Sequence, residues 1–128
     1  MSRSHSQRVL CVASSSQVFT NLDQALRHSG LQVLSAATRD RGVAICVAEA
    51  ISLAVLDADS IRGEECSLAT ALKMVRPGLA IILIEERGRL SPVPDNIDAV
   101  VPLGDTETLL RKLVGLLNLQ GTEFSAAG

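Results

Sequence analysis

Aromatic side chains are almost missing from this chain. Of its 128 residues 2% are aromatic: Phe19 and Phe124 are present, whereas tryptophan and tyrosine do not occur. Proteins that bind single-stranded nucleic acids commonly stack the bases on aromatic side chains, and this chain has too few of them. The formal net charge is −2 and the basic residues are scattered, so no basic patch is present either. We therefore expect no direct binding of nucleic acid.

Long apolar runs are missing as well. No stretch of the sequence approaches the roughly 20 consecutive apolar residues that a membrane-spanning helix needs. The first six residues are polar and lack the apolar core of a secretory signal peptide. These two absences favour a cytoplasmic location without contact with a membrane.

Cysteine is scarce and is not arranged for metal or redox chemistry. Cys11, Cys46 and Cys66 are an odd number, and no two of them form a CxxC pair. Cys11 lies in an apolar run and Cys46 in a helical pattern. Because a free cysteine packs like a small hydrophobic residue, we interpret these residues as buried thiols.

Short apolar runs alternate with helical patterns along most of the chain. The sequence is 47% hydrophobic, enough for one globular domain, which we place at residues 8–118 between flexible segments 1–7 and 119–128. The runs predict strands at residues 8–13, 31–36, 52–57, 79–84 and 98–102, and helices at residues 16–29, 39–50, 66–75 and 105–118. Strands separated by helices predict a parallel sheet with right-handed crossovers. The predicted fold is an α/β, flavodoxin-like doubly wound sandwich with strand order 2-1-3-4-5.

Two of the predicted helices carry recognisable apolar faces. In the second helix, Val43, Ala44, Val47 and Ala48 are expected to face the sheet. The last helix is capped by Asp105 and carries a stripe of leucines at positions 109, 110, 113, 116 and 117. Between the fourth and fifth strands, Gly88, Pro92 and Pro94 disfavour a helix, so a fourth helix there is predicted to be short or absent.

The polar residues that follow the apolar strands indicate where a site would form. In open α/β sheets, sites lie beyond the carboxyl ends of the strands. Asp57 ends the third strand, whereas Ala13 and Ser14 follow the first. The serines at 14–16 belong to no GxxxxGK[ST] phosphate loop and no GxSxG nucleophile elbow, so a helix cap is the better interpretation.

This pattern resembles the receiver domain of two-component response regulators over residues 8–117. In that family acidic residues after the first strand bind Mg²⁺, and an aspartate that ends the third strand accepts a phosphoryl group. A serine or threonine ends the fourth strand and a lysine ends the fifth. The resemblance implies that Asp57 is the phospho-acceptor candidate, and its separation from Ser14 is close to the family's spacing.

The chain departs from the family at the other site positions. Ala13 and Ser14 stand at the acidic pair, and Glu85 stands at the Ser/Thr switch position. Leu103 stands at or near the lysine position, and Val100 replaces the switch aromatic of the fifth strand. The resemblance therefore implies a degenerate, pseudo-receiver type of site.

A cation site would depend on few carboxylates. Mg²⁺ prefers several oxygen ligands with net negative charge, and Asp57 alone is a poor site. Asp59 stands where the family offers a backbone carbonyl to the metal, so Asp57 with Asp59 is the metal-ligand candidate that remains. We expect either no cofactor or weak Mg²⁺ binding.

Three functions follow as hypotheses. The first is a degenerate receiver, not an enzyme, that acts as a protein-interaction module in phosphorelay signalling without the usual Mg²⁺-dependent phosphorylation. The second is an atypical receiver that is phosphorylated at Asp57. The third is an unrelated flavodoxin-like domain that binds a small ligand. The resemblance implies a histidine kinase, an output domain or another signalling protein as the partner, and it allows a homodimer.

Overall fold

The structure is a computed structural model, and it describes residues 8–14, 16–26, 31–58, 65–85, 96–102 and 104–119. The strands are β1 (Arg8–Val12), β2 (Gln32–Ala36), β3 (Ile51–Asp57), β4 (Ala80–Glu85) and β5 (Ala99–Pro102). The helices within these ranges are α1 (Ser16–Leu26), α2 (Arg39–Ala48), α3 (Glu65–Val75) and α4 (Thr106–Leu119). None of the described helices combines the length and the apolar character required to cross a bilayer.

The five strands form one sheet, and every pairing in it is parallel. The strand order is β2-β1-β3-β4-β5, which confirms the predicted doubly wound arrangement. β1, β3 and β4 occupy the centre, and they are buried along almost their whole length. Such continuous apolar runs are typical of parallel strands, because helices cover both faces of the sheet.

Two hydrophobic clusters pack on opposite faces of this sheet. On one face, the buried leucines of α4 and Leu22 of α1 pack against side chains such as Cys11 and Val55. On the other face, Cys46 of α2 and the buried side chains of α3 pack against the alternate strand residues, including Leu10 and Leu56. The two-residue alternation of a strand separates the clusters, because neighbouring side chains point to opposite faces.

The predicted stripe of α4 is confirmed by the structure. Leu109, Leu113 and Leu117 are buried, and Leu110 and Leu116 pack against the same cluster. The side chain of Asp105 accepts hydrogen bonds from the backbone N–H of Thr108 at 3.1 Å and from its hydroxyl at 2.7 Å. Asp105 therefore satisfies helix N–H groups that have no partner within the helix.

The predicted inward face of α2 is confirmed at Val43, which packs against the buried cluster, and is wrong at Ala44, Val47 and Ala48. The buried residues of this helix are Gly42 and Cys46, whereas Ala44, Val47 and Ala48 are exposed and Val43 is half-buried. A Cβ atom on Gly42 would lie 2.9 Å from Cγ2 of Val12, so the helix approaches the sheet through a residue without a side chain. The alanine and valine residues of α2 lie on several sides of the helix. The apolar pattern of the sequence therefore does not indicate which side contacts the sheet.

The helices also end slightly differently from the prediction. α2 ends at Ala48 rather than at residue 50, and Glu49 adopts extended backbone while its N–H donates to the Ile45 carbonyl. Residues 86–96, where a fourth helix is predicted to be short or absent, fall almost entirely outside the described residues. The predicted flexible segments 1–7 and 119–128 lie outside them as well, apart from Leu119, which ends α4.

Candidate functional site

The carboxyl ends of β3 and β4 carry the two charged side chains that are buried within the described part of the chain. Asp57 is 7% exposed and Glu85 is 5% exposed. Each is the last residue of its strand. Both therefore lie at the edge of the sheet where sites form in folds of this type.

Strand pairing holds Asp57 directly on the side of β4 and ends one residue before it on the side of β1. Leu56 pairs with Val12 of β1, Asp57 pairs with Ile84 of β4, and the N–H of Ala58 donates to the Ile84 carbonyl at 2.9 Å. The ladder therefore continues through the aspartate and fixes its backbone. By alternation its side chain belongs to the face of Leu53 and Val55, which α1 and α4 cover.

The same face places the Cys11 thiol within the electrostatic influence of Asp57. Burial, and to a smaller extent the Asp57 carboxylate, raises the pKa of the Cys11 thiol from 9.0 to about 12. Cys11 is 1% exposed and pairs with Val55, two residues before the aspartate. This neighbour was not identified from the sequence, although the register of β1 against β3 determines it.

The end of β1 provides few ligand atoms. Ala13 is buried, and its N–H donates to the Ala36 carbonyl at 2.9 Å. Its methyl group offers no lone pair to a cation. Ser14 is exposed and contributes one hydroxyl at this edge.

The side chain at the end of β4 does not converge with Asp57 on a single site. Glu85 pairs with Pro102, the last residue of β5. By alternation Glu85 belongs to the face of Ile81 and Leu83, which is opposite to the face of Asp57. The two carboxylates therefore share an edge of the sheet, but they belong to different faces.

The remaining predicted positions are only partly covered by the structure. Val100 is half-buried and packs against the cluster beneath α2 and α3. Leu103 and Asp59 lie outside the described residues. The described strand β5 ends at Pro102, which supplies neither a cation nor a backbone N–H at this edge.

The donor set does not fit Mg²⁺ within the described residues. No group of three or more His, Cys, Asp or Glu side chains is placed there to hold a metal ion. On the face of Asp57, the end of β1 contributes the methyl group of Ala13 where an acidic ligand would be needed. A hard cation such as Mg²⁺ needs several oxygen ligands, and one carboxylate would leave most of its coordination positions without a protein ligand.

Among the comparisons with known proteins, only solved structures match the chain. No protein-family model and no curated protein sequence matches the chain. A CheY-like response regulator receiver domain protein from Methanospirillum hungatei superposes with a TM-score of 0.79 at 25% identity, covering 91% of this chain and 98% of that one. The signal receiver domain of an HD domain-containing protein from Pseudomonas fluorescens gives a TM-score of 0.82 at 16% identity, covering 94% and 93%. A receiver domain from Clostridium thermocellum gives 0.79 at 16% identity, covering 90% and 97%.

The chain therefore has the fold of response regulator receiver domains. The coverage extends over nearly the full length of each solved chain, so the likeness concerns a whole domain rather than a shared βαβ unit. The resemblance that the sequence indicates is confirmed at the level of the fold, and it supports a signal-transduction receiver role.

Proposed function

We propose that this protein is a degenerate receiver domain that acts by binding other signalling proteins, without the Mg²⁺-dependent phosphorylation usual for the family. The observation that carries the proposal is the composition of the strand ends: Asp57 is buried at the end of β3, while Ala13 and Ser14 follow β1. The protein has no catalytic role of its own in this proposal.

The chemistry of phosphoryl transfer supports the proposal. The transferring group spreads negative charge over its oxygens, and metal ions and positive side chains normally neutralise that charge. At the described strand ends the ionisable side chains are the carboxylates of Asp57 and Glu85. A carboxylate at the end of β4 would repel a phosphoryl group that a hydroxyl would hydrogen-bond, because like charges disfavour each other.

The partner in this proposal is a protein of the same signalling system. A histidine kinase, an output domain or another signalling protein would recognise a helical face of the domain, and a second copy of the chain would be one further partner. The protein would carry out this role in the cytoplasm. Binding to such a partner, rather than a covalent modification, would then set the output.

A second candidate function is favoured by the position of Asp57 itself. The aspartate ends the central strand β3 at the edge of the sheet where receiver chemistry takes place, and its backbone is fixed by pairing with Ile84 of β4. Phosphorylation at Asp57 would need carboxylates from outside the described residues, such as Asp59, to hold the cation.

Intact-mass measurement after incubation with acetyl phosphate and Mg²⁺ separates the two candidates. For the degenerate receiver we expect no added phosphoryl mass on the natural chain. The matched gain-of-function variant carries Ala13→Asp and Ser14→Asp, which restores an acidic pair, and we expect it to acquire the mass if Asp57 is otherwise competent. A phosphoryl mass on the natural chain that Asp57→Asn abolishes would overturn the proposal in favour of the second candidate.

A further inference from the structure

The outer strand β2 pairs with β1 on one side, and within the described residues no strand lies on its other, open side. The Ala36 carbonyl accepts a hydrogen bond from the N–H of Ala13, the residue after β1. Because the backbone groups of a strand point alternately to its two sides, those of Val33 and Ser35 point to the open side. The N–H and carbonyl groups of these two residues are therefore available to a further strand.

The open side of β2 lacks the features that usually prevent strands of different molecules from pairing. Residues 31–38 contain no charged side chain and no proline, and the register of β2 against β1 is regular. Val33 and Leu34 are half-buried, so apolar surface remains on both faces of the strand. The outer strand β5 differs, because it ends at Pro102, which has no N–H. Lysine, proline and bulges protect outer strands, and β2 has none of them.

The flank of α2 above β2 carries opposite charges at its two ends. Arg41 and Ile45 are one helical turn apart, and Glu49, directly after the helix, continues the same row at the next interval of four residues. The Oε1 atom of Glu49 lies 3.8 Å from Nη1 of Arg8, and Nε of Arg8 donates to the Gln32 side chain of β2 at 3.1 Å. This row, basic at one end and acidic at the other, therefore lies towards β2.

We propose that β2 pairs with β2 of a second copy of this chain, antiparallel about a twofold axis at Leu34. The two five-stranded sheets then form one continuous sheet. Val33 of each copy exchanges backbone hydrogen bonds with Ser35 of the other, because both residues direct their N–H and carbonyl groups to the open side. Leu34 of one copy lies directly opposite Leu34 of the other, so each covers the half-buried side chain of its counterpart.

Charge complementarity selects a second copy as the occupant. The twofold axis reverses the direction of the row on α2, so Arg41 of one copy lies opposite Glu49 of the other, and this contact occurs twice. Ile45 stands at the middle of the row and packs against the same cluster as Leu34, which places both near the axis. An isologous contact of this kind closes after two copies and does not lead to a filament.

The pairing gives a surface to the second copy that the proposed function admits as a further partner. It uses the outer strand β2 and the adjoining flank of α2, and no residue of the strand-end site takes part. It therefore rests on the proposed function only for the biological use of the dimer, and it does not depend on the state of Asp57.

The test is sedimentation equilibrium of the full chain over a range of concentrations, in which we expect a reversible dimer. Arg41→Glu and Glu49→Arg should each weaken the dimer about tenfold, because each substitution sets like charges opposite each other at two symmetric positions. An equimolar mixture of the two variants should form a tighter heterodimer than either variant forms alone, since both contacts are then attractive again. A mere loss of folded protein would not produce this recovery.

Ser35→Pro tests the backbone pairing. Because the Ser35 N–H points to the open side, proline removes a donor for the second copy and none from the ladder between β1 and β2. We expect a folded monomer, as measured by circular dichroism and sedimentation. Arg111→Glu is the matched control for the charge reversals, because this exposed arginine lies on α4, which packs on the opposite face of the sheet. It should leave the dimer unchanged.

Three results would overturn the proposal. They are a natural chain that stays monomeric up to millimolar concentration, an undiminished dimer in folded Ser35→Pro, and a mixture of the charge-reversal variants that associates no more tightly than each variant alone. None of them bears on phosphorylation at Asp57, which the mass measurement tests separately.

Discussion

Asp98 and Ile81 are joined by two hydrogen bonds just before β5 begins. The backbone N–H of Asp98 donates to the Ile81 carbonyl at 2.8 Å, and the N–H of Ile81 donates to the Oδ2 atom of Asp98 at 2.8 Å. The same oxygen accepts from Nζ of Lys73 on α3 at 3.1 Å. The Asp98 side chain thus acts as an acceptor at the start of the β4–β5 ladder and connects it to a helix.

We expect Asp98→Ala to lower the free energy of unfolding by about 1–3 kcal/mol, because the N–H of Ile81 loses a partly buried acceptor. Lys73→Met should cost no more than about 1 kcal/mol, since both side chains of the ion pair remain partly exposed, at 26% and 31%. Urea unfolding of both variants measures the difference. An equal loss in the two variants would show that the ion pair, and not the backbone hydrogen bond, stabilises this end of the sheet.

Replacement of Gly42 by alanine should destabilise the protein although it improves helix propensity. The new methyl group would lie 2.9 Å from Cγ2 of Val12, which is fully buried and stiff at χ1. Overpacking costs about 1–3 kcal/mol and alanine regains about 1 kcal/mol in a helix, so we expect a net loss of up to about 2 kcal/mol.

Gly115→Ala is the matched control for this prediction, because its Cβ position in α4 is open. It should raise the free energy of unfolding by up to about 1 kcal/mol. Thermal or urea unfolding of both variants provides the measurement. A stabilised Gly42→Ala variant would mean that α2 can move away from Val12 at little cost.

The Cys11 thiol should resist alkylation in the folded protein at neutral pH. A rise of its pKa from 9.0 to about 12 lowers the thiolate fraction about a thousandfold, and the side chain is 1% exposed. Burial also raises the pKa of Cys46. Iodoacetamide labelling followed by peptide mass analysis should show modification of Cys11 only after urea is added. Rapid labelling of Cys11 without denaturant would contradict the burial described for β1.

Asp105 should contribute stability that depends on pH. Hydrogen bonds from the hydroxyl and the N–H of Thr108 hold the pKa of the Asp105 carboxyl below its ordinary value of 3.8. Because the folded pKa is lower than the unfolded one, the contribution is present above the unfolded value and is lost as the pH falls through the folded value.

The variant Asp105→Asn retains an acceptor at the helix N-cap but cannot ionise. It should be slightly less stable than the natural chain at pH 7, and the difference should shrink as the pH falls below 3.8. Urea unfolding of both proteins at matched pH values measures the difference. If the difference in stability between the two proteins did not change with pH, it would come from the geometry of the side chain and not from the charge of Asp105.

Much of the fold could be predicted because the strands are short, apolar and buried on both faces. Every strand lies within one or two residues of its expected position, and the strand order follows from right-handed crossovers. The contact face of α2 could not be predicted in the same way. A close approach through Gly42 depends on the position of Val12, which is distant in sequence.

The strand-end site was predictable in position but not in detail. Asp57 lies at the expected edge because carboxyl ends of parallel strands meet there. Two details depend on the register between paired strands, which an apolar run does not reveal. They are the proximity of Cys11 to Asp57 and the position of Glu85 on the opposite face of the sheet.

The length of β3 keeps the two edges of the sheet electrically separate. Its seven residues place Ile51 about 20 Å from Asp57, and at that separation two unit charges interact by less than about 1 kcal/mol at an effective dielectric constant of about 20. A change of charge at Arg8, which pairs with Ile51, should therefore leave the carboxylate edge almost unaffected. Any communication between the edges would have to be mechanical, carried by a shift of β3 against β4, and thermodynamic reciprocity would make it equally strong in both directions.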